Sequence, residues 1–410
     1  MSLPADVPAY RAQPTDVVDV LTRIIPSQTS AITVGSTQQK LKIELPNVKT
    51  ARMGQMIVQC DISAAFSSTD NSDTYAGVVP TFVPLISSII QRWTLTLGSV
   101  IFCDNYANDL RTNLQYWLRS NSITRLDDLY LYPTTPGLQP ANGSSTTVRF
   151  PLVFDPADFP SKRGTFPFGI LPKATLDLYF NPASQCMYIG GTAAGTVTFT
   201  YTVSNVYLWF EDTSSDAIAR EIGGMGLNFS YMEWYNQQFA IAPNTQTVSI
   251  QLNNQFRWVH HIVAVVRKSS DITSVANAQA TKLKYFTGDL SEIKTANIRF
   301  KSKLRYDEPL VGSLAMVHEL KKLVPAARYC DYFQSVTTNG TTHSIYVLRL
   351  GTSISDDKDS GVDCSAATAP ATLEITWQSA LGNYNYLMDV FICHTRYVSI
   401  SPSGTITIQE

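Results

Sequence analysis

The alternation of apolar and polar side chains indicates short β-strands along most of the chain. Leu41–Leu45, Trp93–Leu97 and Thr147–Phe150 each alternate with a period of two residues. Turn-forming residues follow, for instance Pro46-Asn47 and Gly98-Ser99. Short alternating strands separated by such turns are typical of an antiparallel sandwich or barrel.

The second half of the chain repeats the strand pattern of the first half. Three segments have counterparts in the same order, at offsets of 207, 203 and 197 residues: Leu41–Asn47 with Val248–Asn254, Leu95–Asp104 with Ile298–Asp307, and Ala174–Phe180 with Ala371–Trp377. Strands of equal period resemble one another, so a single match is weak. Three matches in one order predict that one β-sandwich has been duplicated.

A helical spacing of mostly apolar residues follows the second of these segments in each half. Its members are Leu110, Leu114, Trp117 and Leu118 in the first half, and Leu310, Leu314, Val317 and Lys321 in the second half, which Pro325 ends. This fourth match predicts a short helix at equivalent places in the two sandwiches.

The join between the two halves can also be read from the sequence. Tyr201–Phe210 is predicted to be the closing strand of the first half, and Ala217–Ile222 a short helix that Gly223 and Gly224 end. We therefore divide the chain into four parts: an N-terminal arm at 1–36, a first sandwich at 37–212, a helical linker at 213–227 and a second sandwich at 228–410.

The N-terminal arm is predicted to contain a short amphipathic helix. Pro14-Thr15-Asp16 can cap it and Pro26 ends it. Its apolar face would consist of Val17, Val20, Leu21, Ile24 and Ile25. This face could pack under its own domain, or face inward as a contact with a neighbouring subunit or a membrane surface.

Composition favours a protein that works through broad contacts. Charged residues make up 16% of the chain, against about 25% in typical globular domains, and there are 20 Tyr and 18 Phe. Depleted charge and abundant aromatics suit large permanent interfaces, although an ordinary Ser/Thr-rich β protein would also have them. The net charge is −2 and the first 39 residues hold only Arg11 and Arg23 as cations, so we expect no direct nucleic-acid binding.

The cysteines indicate a protein made in a reducing compartment. They are widely spaced and form no C-x-x-C pair: Cys60, Cys103, Cys186, Cys330, Cys364 and Cys393. The alternative is a secreted protein with disulfides, for which the sequons at Asn142, Asn228 and Asn339 would matter. Neither a signal peptide nor a transmembrane helix is expected.

No catalytic, cofactor-binding or metal site is predicted, and the chain is not expected to be an enzyme. His260 and His261 are adjacent on one predicted strand, where alternation would point them to opposite faces. The common nucleophile, zinc and phosphate-loop motifs are missing from the sequence. Asp356–Asp359 could hold calcium in an extended loop, but a solvated loop explains these residues as well.

Three stretches resemble one family: Gly164–Phe180, the following Tyr201–Glu211, and Ile89–Ile101 with its helix are similar to the double jelly-roll major capsid proteins of tailless icosahedral viruses, the tectivirus and adenovirus lineage. The resemblance implies an all-β fold of two tandem eight-stranded antiparallel jelly-roll sandwiches, with short helices in matching loops. It also implies a homotrimer that forms a pseudo-hexagonal capsomer.

The resemblance further implies where such a protein works. It would be made and assembled in the host cytoplasm and would end in the virion capsid, beside neighbouring capsomers and penton or minor capsid proteins. In many relatives a lipid membrane lies under the shell, and the arm around Val17–Ile25 would then face inward. The rival hypotheses are a two-sandwich carbohydrate- or receptor-binding protein of the spike type, and a β-sandwich hydrolase with two convergent carboxylates.

Overall fold

The structure is a computed structural model whose described residues are almost entirely β-strand. They are 20–26, 30–46, 48, 51–68, 80–82, 86–111, 145–152, 169, 171–189, 197–212, 224, 226–252, 256–273, 293–300, 303–304, 310–311, 319, 345–351, 361–364 and 371–409.

The first half of the chain forms two antiparallel sheets. Its strands are β1 Val20–Ile24, β2 Ile32–Val34, β3 Gln39–Glu44, β4 Ala51–Ser68, β5 Pro80–Phe82, β6 Ile90–Leu97, β7 Val100–Asn105, β8 Ser145–Pro151, β9 Ala174–Phe180, β10 Met187–Ile189 and β11 Val197–Asp212. Sheet 1 has the order β1-β11-β4-β8, with β2 also on β11, and sheet 2 has the order β3-β9-β6-β7. The short strands β5 and β10 pair with each other.

The second half forms two further antiparallel sheets. Its strands are β12 Leu227–Ile241, β13 Thr247–Leu252, β14 Val259–Lys268, β15 Ile293–Phe300, β16 Lys303–Leu304, β17 Leu310–Val311, β18 Ile345–Arg349, β19 Ala371–Trp377, β20 Tyr386–Ile400 and β21 Ile406–Gln409. Sheet 3 has the order β12-β20-β14-β18, with β21 on β20. Sheet 4 has the order β13-β19-β15-β16, with β17 on β15.

Each half has the strand order of a jelly roll. In the second half the outermost strands in sequence, β12 and β20, are neighbours in sheet 3, and the next pair inward, β13 and β19, are neighbours in sheet 4. The first half does the same with β2 and β11 in sheet 1, and with β3 and β9 in sheet 2. This nesting of early and late strands is the jelly-roll arrangement. The predicted all-β fold of two tandem sandwiches is confirmed.

The sequence repeat is reproduced in the pairing register. Leu95 pairs with Leu176 in sheet 2, and their predicted counterparts Ile298 and Leu373 pair in sheet 4. The pair Leu41 and Leu178 likewise corresponds to Val248 and Ile375. A slip of one residue would turn every side chain of a strand to the other face. The agreement of both registers therefore shows that the two halves share one core plan.

Each half encloses an apolar core between its sheets. A fully buried tryptophan lies in each core, and the indole N–H of each has a partner, as burial of this group requires. Trp93 Nε1 donates to Asn108 Oδ1 at 3.2 Å, and Trp377 Nε1 donates to Tyr346 Oη at 3.0 Å.

The amphipathic helix predicted in the N-terminal arm is wrong for Val20–Ile24, which form strand β1. This strand pairs with Leu208–Asp212 at the end of β11, so its backbone bonds are made in sheet 1. Three of its five residues are β-branched, which favours the extended conformation once such a partner exists. Val17 lies outside the described residues.

The two matching helices are only partly described. Residues 108–111 are helical and include Leu110, as predicted. Leu310 is not helical, because Leu310–Val311 pair with Thr295 and Ala296 and extend sheet 4 as β17. The other predicted positions of both helices, and the linker helix Ala217–Ile222, lie outside the described residues.

The described helices are short. They include α1 Ala183–Cys186, α2 Ser269–Thr273 and a 3-10 helix at Ile86–Ile89. Within the described residues, no helix combines the length and the apolar character that a membrane crossing requires.

Candidate functional site: the junction between the two sandwiches

The ends of β12 and β20 reach beyond the second sandwich and pack on the first. The ring of Phe102, in edge strand β7, lies 6.2 Å from the ring of Phe229 and 5.9 Å from that of Tyr231. Val398 and Ile400 are buried in the same apolar cluster as the core of the first sandwich. We call this contact, with the polar groups described next, the junction.

Arg396 joins the two sandwiches through a buried hydrogen-bond network. Its Nη1 donates to the Phe102 carbonyl oxygen at 2.9 Å, to Tyr231 Oη at 3.3 Å and to Glu233 Oε1 at 3.0 Å. Tyr231 Oη also donates to the Phe102 carbonyl oxygen, at 2.9 Å. A carbonyl at a sheet edge would be costly to bury alone. Here one guanidinium and one phenol from the other sandwich satisfy it.

Glu233 lies between two basic side chains, of which only one is charged. Arg396 Nη1 lies 2.9 Å from Glu233 Oε2. His394 Nε2 is 3.9 Å from the same oxygen. Burial, and then the Arg396 charge, lowers the pKa of His394 to about 3, so this ring is neutral at neutral pH. The contact is therefore not an ion pair, and His394 instead stacks on Phe256 with ring centroids 4.0 Å apart.

A second ion pair lies toward the other end of β20. Arg267 Nη2 donates to Asp389 Oδ2 at 2.6 Å, and the Asp389 side chain has no exposed area. Gln238 Nε2 donates to the other carboxylate oxygen at 3.0 Å. Bonds to both oxygens satisfy the buried carboxylate.

The first sandwich faces this ion pair with Asp109. Burial raises the pKa of Asp109, while the nearby Arg267 charge acts in the opposite direction. Asn181 Nδ2 donates to Asp109 Oδ2 at 3.2 Å. Helices α1 and α2 also approach each other here, one from each half. The two sandwiches are thus joined at the junction by the Arg396 network and apolar packing, and helices α1 and α2 approach each other near the second ion pair.

None of the junction residues belongs to a motif that the sequence predicts to be functional. The signal was there, because Asp389 and Arg396 interrupt the apolar run of β20 and Arg267 stands near the end of an apolar β14. A charged residue inside a strand that is buried on both faces needs a partner. The sequence does not show that the partners include a backbone carbonyl about 300 residues away.

The residues proposed for the N-terminal contact are only partly placed. Val20, Leu21 and Ile24 lie in β1, Ile24 is buried, and Ile25 follows with 55% of its area exposed. Their role as an inward-facing or subunit contact stays a prediction.

The histidine and cysteine predictions have mixed outcomes. A register shift between Val259 and His261 interrupts the alternation that was expected to oppose the two histidines. His260 Nε2 lies 2.7 Å from Thr395 Oγ1, and the His261 ring packs edge-on against Trp234.

The prediction of buried thiols is confirmed for the described cysteines: Cys60, Cys103, Cys186, Cys364 and Cys393. Cys330 and Asp356–Asp359 lie outside the described residues.

The described part of the chain was expected to lack a metal site, and the structure shows no cluster of metal ligands there: no three His, Cys, Asp or Glu side chains come together. A surface groove of about 380 Å³ lies over β12, β20 and β21, and no carboxylate is among its lining residues: Asn228, Phe229, Ser230, Tyr397, Val398, Ser399, Thr407 and Gln409. The convergent carboxylates that a hydrolase would need are not found in this groove.

Comparison with known proteins finds likeness in structure and none in sequence. No protein-family model and no curated protein matches the chain. Among solved structures, PBCV-1 VP54, fitted into a reconstruction of the virophage Sputnik, is similar with a TM-score of 0.62 at 15% identity, over 96% of this chain and 97% of that one.

Two further capsid proteins are similar over nearly the whole chain. The Faustovirus major capsid protein has a TM-score of 0.62 at 10% identity, covering 94% of this chain and 91% of its own. The mavirus major capsid protein has a TM-score of 0.53 at 13% identity, covering 95% and 90%. At such identities the likeness establishes a shared fold, including the order of both sandwiches.

Proposed function

We propose that this protein is a structural major capsid protein, which trimerises into pseudo-hexagonal capsomers and tiles an icosahedral viral shell. The observation that carries the proposal is the duplicated jelly roll. Its two sandwiches pair their strands in the same register, and a buried junction holds them together. Two similar sandwiches in each of three chains supply six near-equivalent units around an axis, the number that a hexagonal lattice requires. The shared fold with viral major capsid proteins supports the same function.

The junction explains why such a unit would be rigid. Arg396 and Tyr231 both bind the Phe102 carbonyl across it, and Asp389 has no exposed area. Polar interfaces between domains of one chain usually permit relative motion of the domains. A charged network enclosed by apolar packing instead fixes the angle between the sandwiches, on which a lattice would depend.

The partners follow from this function. We propose neighbouring capsomers, penton or minor capsid proteins and, under the shell, an internal membrane, with the virion as the location and the host cytoplasm as the place of assembly. We retain the division into two sandwiches joined by a linker, with the second sandwich at 228–410. Strands β1 and β2 pair with β11 in sheet 1, so the first sandwich also includes residues 20–34, which the sequence pattern placed in the arm. The exposed Ile25, at the end of β1, supports an inward-facing or subunit contact for the arm.

A structural role agrees with the named functions of the similar proteins, which are capsid components. We accordingly propose that the chain is not an enzyme and needs no cofactor. The net charge of −2 and the presence of only two cations in the first 39 residues support the absence of direct nucleic-acid binding, since neutralising phosphates requires many cations. No observation favours the carbohydrate- or receptor-binding alternative.

The deciding measurement is the mass of the purified protein by light scattering after size-exclusion chromatography. We expect three times the 45.3 kDa of one chain. Obligate interfaces of this kind bury more than about 2,000 Å², so the trimer should persist at low micromolar concentration. A monodisperse species of 45.3 kDa would contradict the proposal.

A further inference from the structure

The two sandwiches of one chain meet head to tail. In each sandwich the early strands lie at one end of the strand order in both sheets, β1–β3 in the first half and β12 with β13 in the second. We call this the leading side. The opposite side, with β7 and β8 in the first half and β16 with β18 in the second, is the trailing side. At the junction, Tyr231 and Arg396 on the leading side of the second sandwich contact Phe102 on the trailing side of the first.

A head-to-tail contact uses one surface of each kind and leaves the other two. Here the remaining surfaces are the leading side of the first sandwich and the trailing side of the second. Repetition of one head-to-tail contact closes a ring when the rotation between units allows it. Six sandwiches from three chains would close in this way if the leading side of each first sandwich bound the trailing side of the second sandwich in another chain.

The pairing register shows which residue of the first sandwich corresponds to the arginine of the junction. The pair Val58 and Leu208 in sheet 1 corresponds to Ile262 and Ile392 in sheet 3, and all four are core residues. The junction arginine stands four residues after Ile392 on β20. The residue four places after Leu208 is Asp212, which ends β11.

The end of sheet 1 that contains Asp212 is acidic. The segment 208–216 has no cation, and its acids are Glu211, Asp212 and Asp216. Arg52 of β4 stands opposite Glu211, whereas Asp212 pairs in register with two uncharged residues of β1 and β4. The equivalent segment of the second sandwich, 392–400, contains no acid.

The trailing side of the second sandwich carries the opposite charge. The hairpin of β15 and β16 has no acid between residues 299 and 305, and its cations there are Arg299, Lys301, Lys303 and Arg305. Lys303 begins β16. The equivalent segment of the first sandwich, 96–102, contains no charged residue and ends with Phe102 of the junction. The sequence repeat aligns Phe102 with residue 305, which lies outside the described residues.

We infer that the end of sheet 1 around Asp212 binds the β15–β16 hairpin of another copy of this chain, marked by Lys303. The inference rests on the proposed function and names the partner surfaces within it. The junction inside the chain encloses its charges in apolar packing. The contact between chains instead has opposite charges on its two surfaces, which draws separate chains together and disfavours the meeting of two like surfaces.

The test reverses one charge on each surface. Asp212→Lys and Lys303→Glu each place like charges against the partner surface, and light scattering over a dilution series follows the trimer. We expect each variant to raise the protein concentration at which half of the trimer dissociates by about tenfold or more. The double variant restores opposite charges and should recover most of this loss.

The outer face of sheet 2 offers a matched control, because neither side of the sandwich includes it. Lys173 Nζ lies 2.6 Å from Glu44 Oε2, and the two side chains are 63% and 46% exposed. Lys173→Glu is therefore a charge reversal of the same kind away from the inferred contact. It should dissociate at the same concentration as the wild type, and all variants should keep the wild-type circular dichroism.

A measurement on the wild type covers variants that do not fold. A carbodiimide joins a carboxylate to a lysine amine in contact with it. Trimers are assembled from a mixture of isotopically light and heavy chains, so that mass spectrometry separates links between chains from links within one chain. We expect links between Asp212 of one chain and Lys303 of another. Links between chains that join only other surfaces would overturn the inference.

The outcomes separate this inference from the proposed function. If the wild type is itself a single chain, the proposed function fails and the inference fails with it. If the wild type is a trimer that neither charge reversal weakens, only the inference is overturned. If both reversals weaken the trimer and the double variant recovers nothing, the pairing of these two surfaces is overturned.

Discussion

Replacing Arg396 should uncouple the two sandwiches more strongly than any exposed ion pair could. Arg396→Met keeps most of the side-chain length and removes the charge. Three hydrogen bonds from Nη1 are lost, to Phe102, Tyr231 and Glu233. The Glu233 carboxylate then remains buried beside His394. Burial, the largest cause of the lowered pKa of His394, persists in the variant and makes this ring a weak replacement for the lost cation.

The expected cost is about 3–5 kcal/mol, because breaking one side of a buried pair leaves the other charge uncompensated. Arg299→Met is the matched control. Arg299 Nη2 lies 3.7 Å from Glu374 Oε1 on the exposed face of sheet 4, and such pairs contribute about 0–1 kcal/mol. Adding Glu233→Gln to Arg396→Met should recover part of the loss, since it removes the stranded charge.

The assay is urea unfolding followed by tryptophan fluorescence. All variants are measured at one protein concentration, because the stability of an oligomer depends on concentration. The wild type should unfold in one transition and Arg396→Met in two, since the sandwiches no longer stabilise each other. If Arg396→Met costs no more than Arg299→Met and keeps a single transition, the junction is not what couples the two halves.

Three further predictions concern pH, packing and backbone. The folded pKa of His394 is about 3 against 6.5 unfolded, so the unfolded chain binds the extra proton and stability falls as pH drops through this window. Acidification to pH 5 should cost about 2 kcal/mol on this account, and His394→Gln should flatten the dependence in urea titrations at several pH values. Phe102→Ala should cost about 3–5 kcal/mol in the same assay, because a fully buried ring is lost from the junction; a cost under about 1 kcal/mol would mean that the ring is not tightly packed. Gly226→Ala should lower the melting temperature, since Gly226 has φ +74° and an added Cβ would meet the Ile400 carbonyl oxygen at 2.5 Å; an unchanged melting temperature would contradict this geometry.

The duplicated sandwich could be predicted from the sequence because its signal is local. Leu95 and Ile298 each stand in a run with a period of two, and their pairing partners Leu176 and Leu373 stand in two more. When four runs recur in one order, the register follows from the apolar face alone. For this reason the predicted offsets and the observed pairs agree residue by residue.

The remaining features depend on partners that are distant in the chain. Val20, Leu21 and Ile24 fit the apolar face of a helix, and it is the pairing with the edge of β11 that makes this segment a strand. Leu310 fits a helical spacing too, until β15 offers it a sheet edge. The junction could not be predicted from the sequence because Arg396 binds the backbone carbonyl of Phe102. Every residue type has such a carbonyl, so the sequence at position 102 carries no signal for this contact.

The identical register of the two sandwiches also has a consequence for how the chain folds. Strand β3 would meet β19 with its apolar residues as well aligned as it meets its own partner β9, so a crossed pairing of the two halves is geometrically allowed. Such misassembly between similar domains is a characteristic failure of repeated sequences. The difference lies in the polar faces, where Lys40 pairs with Tyr179 in one sheet and its counterpart Thr247 pairs with Thr376 in the other. Synthesis from the N-terminus adds a second safeguard, because β3 and β9 can pair before β13 and β19 have left the ribosome.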